Sequence, residues 1–361
     1  MGNITTCCIR GLAFLFLFGL FLLAFSDTKA QYNSENLFYY VDTEDSFESF
    51  EANSDHISIV APQTYSISKT GILWGEVDSR VMEIAEEKGI DVIPLVVNPG
   101  FDRELFHNFL QDSSAQHRTI NMMVDLALKH GYAGWQFDFE NIHINDRNAF
   151  TDFYRKTAEA FHENDLSLSA AVVPTNTDFD LKTEYHRFLY EYWRGAYDLK
   201  AMAEAGDFLS LMTYSQHTRR TPPGPVAGIS WMKEMIEYMI DLEIDPQKIS
   251  LGIPFYSNFW FADYNEEQGG FVNGRGASYE KVMGLVERYD ADMVWIENHQ
   301  THYALWSHDG VFEYAFIEDA RSIEPKLQLL EEFDLRGISV WRLGQEDPEV
   351  WDKIQSLTTS K

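Results

Sequence analysis

The amino-acid sequence predicts a (β/α)8 (TIM) barrel, and three observations carry that reading. Short runs of strand character alternate with helical segments along most of the 361-residue chain, the order expected of a parallel sheet covered by helices. No glycine-rich phosphate loop follows the first run, as an open nucleotide-binding sheet would require. One run, Gly131 to Ile142, alternates strictly between apolar and polar side chains and keeps two carboxylates on its polar side. Hydrophobic residues make up 45% and aromatic residues 15% of the chain. That is enough for a large core, and the length suits either two ordinary domains or one barrel.

The first thirty residues read as targeting. Gly11 to Phe25 is an unbroken apolar run, preceded by Arg10 and followed by the small and polar residues Ser26 to Ala30, the pattern of a signal peptide with the mature chain starting near Gln31. An uncleaved membrane anchor is the competing reading. Both place the remainder outside the cytoplasm: secreted, periplasmic or facing the cell envelope. Cys7 and Cys8, the only cysteines, and the sequon at Asn3 all lie in this segment. The mature domain, residues 31–361, therefore has neither disulfides nor a thiolate metal site.

Candidate strands follow in order: Leu37–Val41, Ile57–Gln63, Asp91–Val97, Gly134–Phe139, Ser167–Val173, Phe208–Thr213, Ile249–Ile253 and Gly337–Trp341. Each is a short β-branched or aromatic run. Helices are expected at Val81–Lys88, Gln116–His130, Asn148–Asn164, Ser230–Leu242 and Ala320–Phe333, several closed by Gly or Asn. Ile120, Val124 and Leu128 have the four-residue spacing of a buried stripe. Residues 256–314 break the rhythm between strand seven and its helix. The turn signals there, with the runs Asp292–Trp295 and His302–Trp306, suggest a small insertion of hairpin strands over the barrel mouth. Its aromatics serve either its own small core or a substrate groove.

The carboxylate strand organises the rest. Trp135, Phe137 and Phe139 share one face, while Gln136, Asp138 and Glu140 share the other. On a surface strand the polar face is simply wet. In a sheet covered on both sides it turns inward, where a retained charge must be paired, neutralised or used. The net charge of -29, from 57 acidic against 28 basic side chains, excludes the basic footprint of a nucleic-acid binder. It otherwise describes a well-solvated surface.

Gly134-Trp135-Gln136-Phe137-Asp138-Phe139-Glu140 resembles the D-G-x-D-x-D-x-E signature of glycoside hydrolase family 18. Three further segments resemble that family in order: Leu211-Met212-Thr213-Tyr214, Leu251-Gly252-Ile253-Pro254-Phe255-Tyr256, and Gly337-Ile338-Ser339-Val340-Trp341. Asn98-Pro99-Gly100-Phe101, the segment Pro223 to Gly228 and the segment Phe316 to Arg321 are similar to its spore-cortex and cell-wall lytic N-acetylglucosaminidase branch.

The resemblance implies a (β/α)8 barrel with a substrate-assisted retaining mechanism. Glu140 is then acid and base, Asp138 orients the substrate acetamido group, and Tyr214 holds that group's oxygen. Trp341 is the apolar floor, and Gln136, Met212, Asn141 and Tyr256 join it as substrate-binding candidates. Each has a plainer alternative: barrel Tyr and Trp commonly fill cores, Met212 suits packing, and Asn141 either shapes its loop or touches sugar. The signature's first two aspartates are Ala133 and Gln136 here, and Ser215 follows Tyr214 where the family often has Asp or Asn. Gln136 is then free to hydrogen-bond Asp138, and Gln216 or His217 to replace the contact that Ser215 is too short to make. No metal and no cofactor are implied. The expected partner is an amino-sugar polysaccharide, peptidoglycan ahead of chitin, bound by a monomer. A catalytically inactive carbohydrate-binding relative is the alternative, and such proteins commonly lack the acid that Glu140 supplies.

Overall fold

The computed structural model describes residues 35–176, 183–265 and 269–359, which belong to one compact unit. The expected leader, residues 1–30, lies outside them. Each of the eight expected strands forms: Glu35–Tyr40, Ile59–Ile67, the split pair Asp91–Val92 and Leu95–Val97, Gly134–Phe137, Ser167–Val172, Phe208–Leu211, Ile249–Pro254 and Gly337–Trp341. They pair in parallel in chain order, and the last pairs with the first, which closes the barrel. Helices Glu44–Asn53, Ser79–Lys88, Ser113–His130, Arg147–His162, Leu199–Ala205, Ile229–Asp241, Ala320–Phe333 and Val350–Thr359 follow the successive strands.

Local chemistry sets these boundaries. Asp112 caps the helix at Ser113 by accepting hydrogen bonds from the N–H groups of Ser114 and Ala115, at 2.9 and 3.1 Å. Gly131 ends the same helix with φ 74°, its N–H donating to the Ala127 carbonyl, and that left-handed turn aims the chain into strand four. The expected stripe on this helix needs correction. Ile120 is buried, but Leu128 is 61% exposed; the inward face is Ala115, Thr119, Ile120, Met123 and Ala127, because the helical repeat of 3.6 drifts away from strict four-residue spacing.

Side-chain parity divides the core in two. Leu37, Tyr39, Ile59, Ala61, Ile93, Leu95 and Phe208 fill the barrel, whereas Phe38, Val60, Val96, Trp135, Phe137 and Phe139 pack between sheet and helices. The alternation on strand four thus means apolar outward and polar inward, not apolar inward and polar wet. Strand two carries a bulge between Gln63 and Tyr65. Gln63 keeps the inward parity of Ile59 and Ala61. Past the bulge Tyr65 faces outward, 4.8 Å edge-on to Trp135.

Between strand seven and the helix at Ala320 lies a five-stranded antiparallel sheet of Ser257–Asn265, Gly269–Ala277, Met293–Ile296, Thr301–His308 and Val311–Ile317. The runs around 292–295 and 302–306 form the anticipated hairpin. A helix absent from the expectation, Tyr279–Arg288, covers one face by burying Val282 and Val286. Ser278 caps it, a start signal that the neighbouring turn residues obscure in the sequence. Phe259 and Trp306 pack into this small core.

Candidate active site

Strand four ends at Phe137, and the next three residues project its polar parity into the mouth of the barrel. Asp138 and Glu140 line a cavity of about 330 Å³ together with Met212, Tyr214, Ser215, Tyr256 and Trp341. Tyr39, Gln63, Leu95, Phe101 and Ala171 complete the wall. Residues from barrel strands one to eight therefore meet at the carboxyl ends of the strands, where barrels of this kind build their sites.

Asp138 is 4% exposed. Its N–H donates to the Val96 carbonyl at 3.0 Å, and its Oδ2 accepts from Gln63 Nε2 at 3.3 Å. Oδ1 has no hydrogen-bond partner among the described residues. Burial raises the Asp138 carboxyl, and the Gln63 amide partly offsets that by favouring the charged form. Glu140 is raised further, by burial and then by the charge of Asp138. The pair is thus separated, one acid that holds its proton beside one that gives it up more readily.

Tyr214 is buried, and its ring meets Tyr256 edge-on at 6.3 Å. Burial holds its hydroxyl well above the usual phenol range, with neighbouring acidic groups adding to the effect. The hydroxyl therefore keeps its proton and can donate a hydrogen bond into the cavity that Tyr214 lines. Trp341 leans on Tyr39 with ring centroids 5.4 Å apart. Its carbonyl accepts from the Phe255 N–H at 2.7 Å, and the peptide that follows it is cis.

Four expectations need correcting or narrowing. Gln136 is fully buried beneath the cavity, where its Nε2 donates to Ser169 and Ser210, each at 3.0 Å. It neither lines the cavity nor bonds Asp138. Ser210 and Ser250 each bond Ser339, at 2.7 and 2.6 Å, so a polar layer crosses the barrel one step below the acid pair and takes up the amide's Nε2, while its Oε1 has no hydrogen-bond partner among the described residues. Asn141 also stays out of the cavity. Its φ is 57°, and its side chain donates to the Phe101 carbonyl at 2.9 Å and accepts from Arg103 at 2.5 Å, which is the loop-shaping alternative. Ser215 bonds the Tyr256 hydroxyl at 2.8 Å, so the polar contact at this corner passes to Tyr256. Gln216 holds the Gly228 N–H and His217 the Pro222 carbonyl, and neither lines the acid cavity. Ala133 packs against the inner apolar cluster. An adjoining cavity shares Ser215 and Tyr256 and is walled by Trp260 of the insertion.

The sequence reading missed Gln63 and Asn98. Gln63 was legible as a polar residue at inward parity in an apolar strand. Asn98 is fully buried and stands before a proline, but its partner is distant in sequence.

A barrel that gathers a carboxylate pair of separated proton affinity over an apolar aromatic floor has the arrangement of a glycosidase. The family model for glycosyl hydrolases family 18 matches residues 25–346, and the chain belongs to that family of glycosidases. The cortical fragment-lytic enzyme of Bacillus subtilis is 27% identical over 302 residues, covering 82% of this chain and 67% of that one. A chitinase from Chromobacterium violaceum superposes with a TM-score of 0.80 at 24% identity, over 91% of this chain and 100% of that one. The spore cortex-lytic enzyme SleL of Bacillus cereus gives 0.80 at 23% identity, over 90% of this chain and 74% of that one. At those identities the solved structures attest the fold.

Proposed function

We propose that this protein hydrolyses β-1,4 bonds following N-acetylglucosamine in an amino-sugar polysaccharide, by substrate-assisted catalysis with retention. The observation that carries the reading is the meeting of Glu140, Asp138, Tyr214 and Trp341 in one cavity. Glu140, protonated at neutral pH because its carboxyl is raised, gives its proton to the glycosidic oxygen as the bond to the anomeric carbon breaks. The substrate's acetamido oxygen forms the new bond to that carbon, giving an oxazolinium ion and a free aglycon. Asp138 orients the acetamido N–H and stabilises the positive charge, and the Tyr214 hydroxyl donates to the acetamido oxygen. Water then attacks the anomeric carbon as its bond to the acetamido oxygen breaks, which restores the N-acetyl group, while Glu140 recovers a proton from that water. Trp341 supplies the apolar face against which the sugar rests.

Peptidoglycan is the favoured polymer, supported by the similarity to the cortical fragment-lytic enzyme. The apolar run Gly11 to Phe25 supports a location outside the cytoplasm, secreted or facing the envelope. Mass spectrometry of products from purified peptidoglycan and from N-acetylglucosamine oligomers tests the reading. The expected result is product from peptidoglycan with kcat reduced about 10²–10⁴-fold in Glu140→Gln. Product from the oligomers as well widens the substrate class. A folded protein with no Glu140-dependent product from either glycan overturns the hydrolase reading in favour of a binding protein.

A further inference from the structure

The loop after strand three grips the acid residue's main chain. Strand three ends at Val97 and strand four at Phe137. The last ordinary rung between them is the bond from the Asp138 N–H to the Val96 carbonyl. A further rung would run from the Glu140 N–H to the Asn98 carbonyl, but the chain turns there at Pro99–Phe101 and that carbonyl accepts from the Phe101 N–H at 2.8 Å. The Asn98 side chain supplies the rung instead. Its Oδ1 accepts from the Glu140 N–H at 3.1 Å, and its Nδ2 donates to the Glu140 carbonyl at 3.0 Å. The same Nδ2 reaches the Asp102 carbonyl at 3.3 Å, so the amide is committed wholly to backbone. Beyond Glu140 the left-handed turn at Asn141 is held by Phe101 and Arg103 of the same loop.

We propose that Asn98 is a positioning residue for catalysis, a side-chain rung that fixes the Cα of Glu140 and so the line along which its proton is delivered. Asn98 does not line the cavity, and its amide faces backbone groups. The inference rests on Glu140 being the acid. Displacing a reacting group by about 1 Å costs on the order of 10²-fold in rate, whereas substrate binding over Trp341 and Tyr256 is unaffected by such a shift.

The test takes the full chain with Asn98→Ala, measuring kcat and KM on the glycan that the parent cleaves. Hydrogen exchange of the Glu140 amide is followed by mass spectrometry in parallel. The expected result is a kcat lowered about 10²-fold with KM within about threefold of the parent and an amide that exchanges at least about tenfold faster. Asn141→Gly is the second variant. It keeps the left-handed turn but loses both side-chain bonds, and a kcat lowered about tenfold with KM preserved is expected. Faster exchange with unchanged kcat overturns the proposal, as does a folded Asn98→Ala in which neither quantity moves. If the parent cleaves neither glycan, the hydrolase reading fails, and unchanged Glu140 exchange in Asn98→Ala would separately overturn the proposed rung.

Discussion

At the scale of single residues, the proposed mechanism depends on two carboxyls with different proton affinities. Gln63 is the one described donor to Asp138, and by favouring the charged form it keeps Asp138 below where burial alone would place it. Gln63→Leu removes that donor, so the Asp138 carboxyl rises further. Activity that requires charged Asp138 is lost as pH falls through its pKa. The acid limb of kcat/KM should therefore move to higher pH, by roughly half to one unit. The alkaline limb, on which Glu140 loses its proton, should move little. A pH–rate profile of the variant checks both limbs, and an unmoved acid limb would remove Gln63 from the mechanism.

At the scale of elements, the join between the insertion and the barrel is polar and buried. Lys326, fully buried in the helix Ala320–Phe333, places its Nζ 2.5 Å from Glu318 Oε2. Ser322 donates to the same oxygen at 2.8 Å, and the Glu318 N–H donates to Ser257 Oγ, where the insertion begins, at 3.0 Å. Burial raises the Glu318 carboxyl, and Lys326 works against that rise. Lys326→Met strands a carboxylate inside the protein and should cost about 3–5 kcal/mol in denaturant unfolding. Adding Glu318→Leu should restore most of the loss, since a pair replaced by apolar groups is close to neutral. A double variant as unstable as the single one would mean the pair also sets the insertion's orientation.

At the scale of the whole molecule, the barrel exists only if its first and last strands meet. Glu35 and Arg336 flank that seam with two 2.8 Å hydrogen bonds. Within it, a Cβ on Gly337 would lie 1.9 Å from the Glu35 carbonyl oxygen. The strands meet because residue 337 has no side chain. Gly337→Ala should lower stability by about 3 kcal/mol or more, against about 1 kcal/mol for Glu35→Gln, whose ion pair is partly exposed, at 30% and 26% for the two side chains. Thermal unfolding of the two variants side by side reads the difference, and equal melting temperatures would contradict a seam set by close packing.

What the sequence determined by itself was local and periodic. Strand and helix order follow from alternation and capping, and the outward aromatics and inward carboxylates of strand four follow from a period of two. Asp138 and Glu140 were legible from the alternation of strand four, and Tyr214 and Trp341 from short segments that resemble those of the family. Tertiary structure decided what required two distant segments or a break in period. The bulge at Gln63 resets the facing of strand two, and the serine layer takes Gln136 away from Asp138. Asn98 acquires its meaning from the main chain of residue 140, and Leu128 becomes exposed through helical drift. Hydrogen bonding inside a barrel is a global condition: the partners available to a buried polar group are those that closure brings to it, and chain order alone does not specify them.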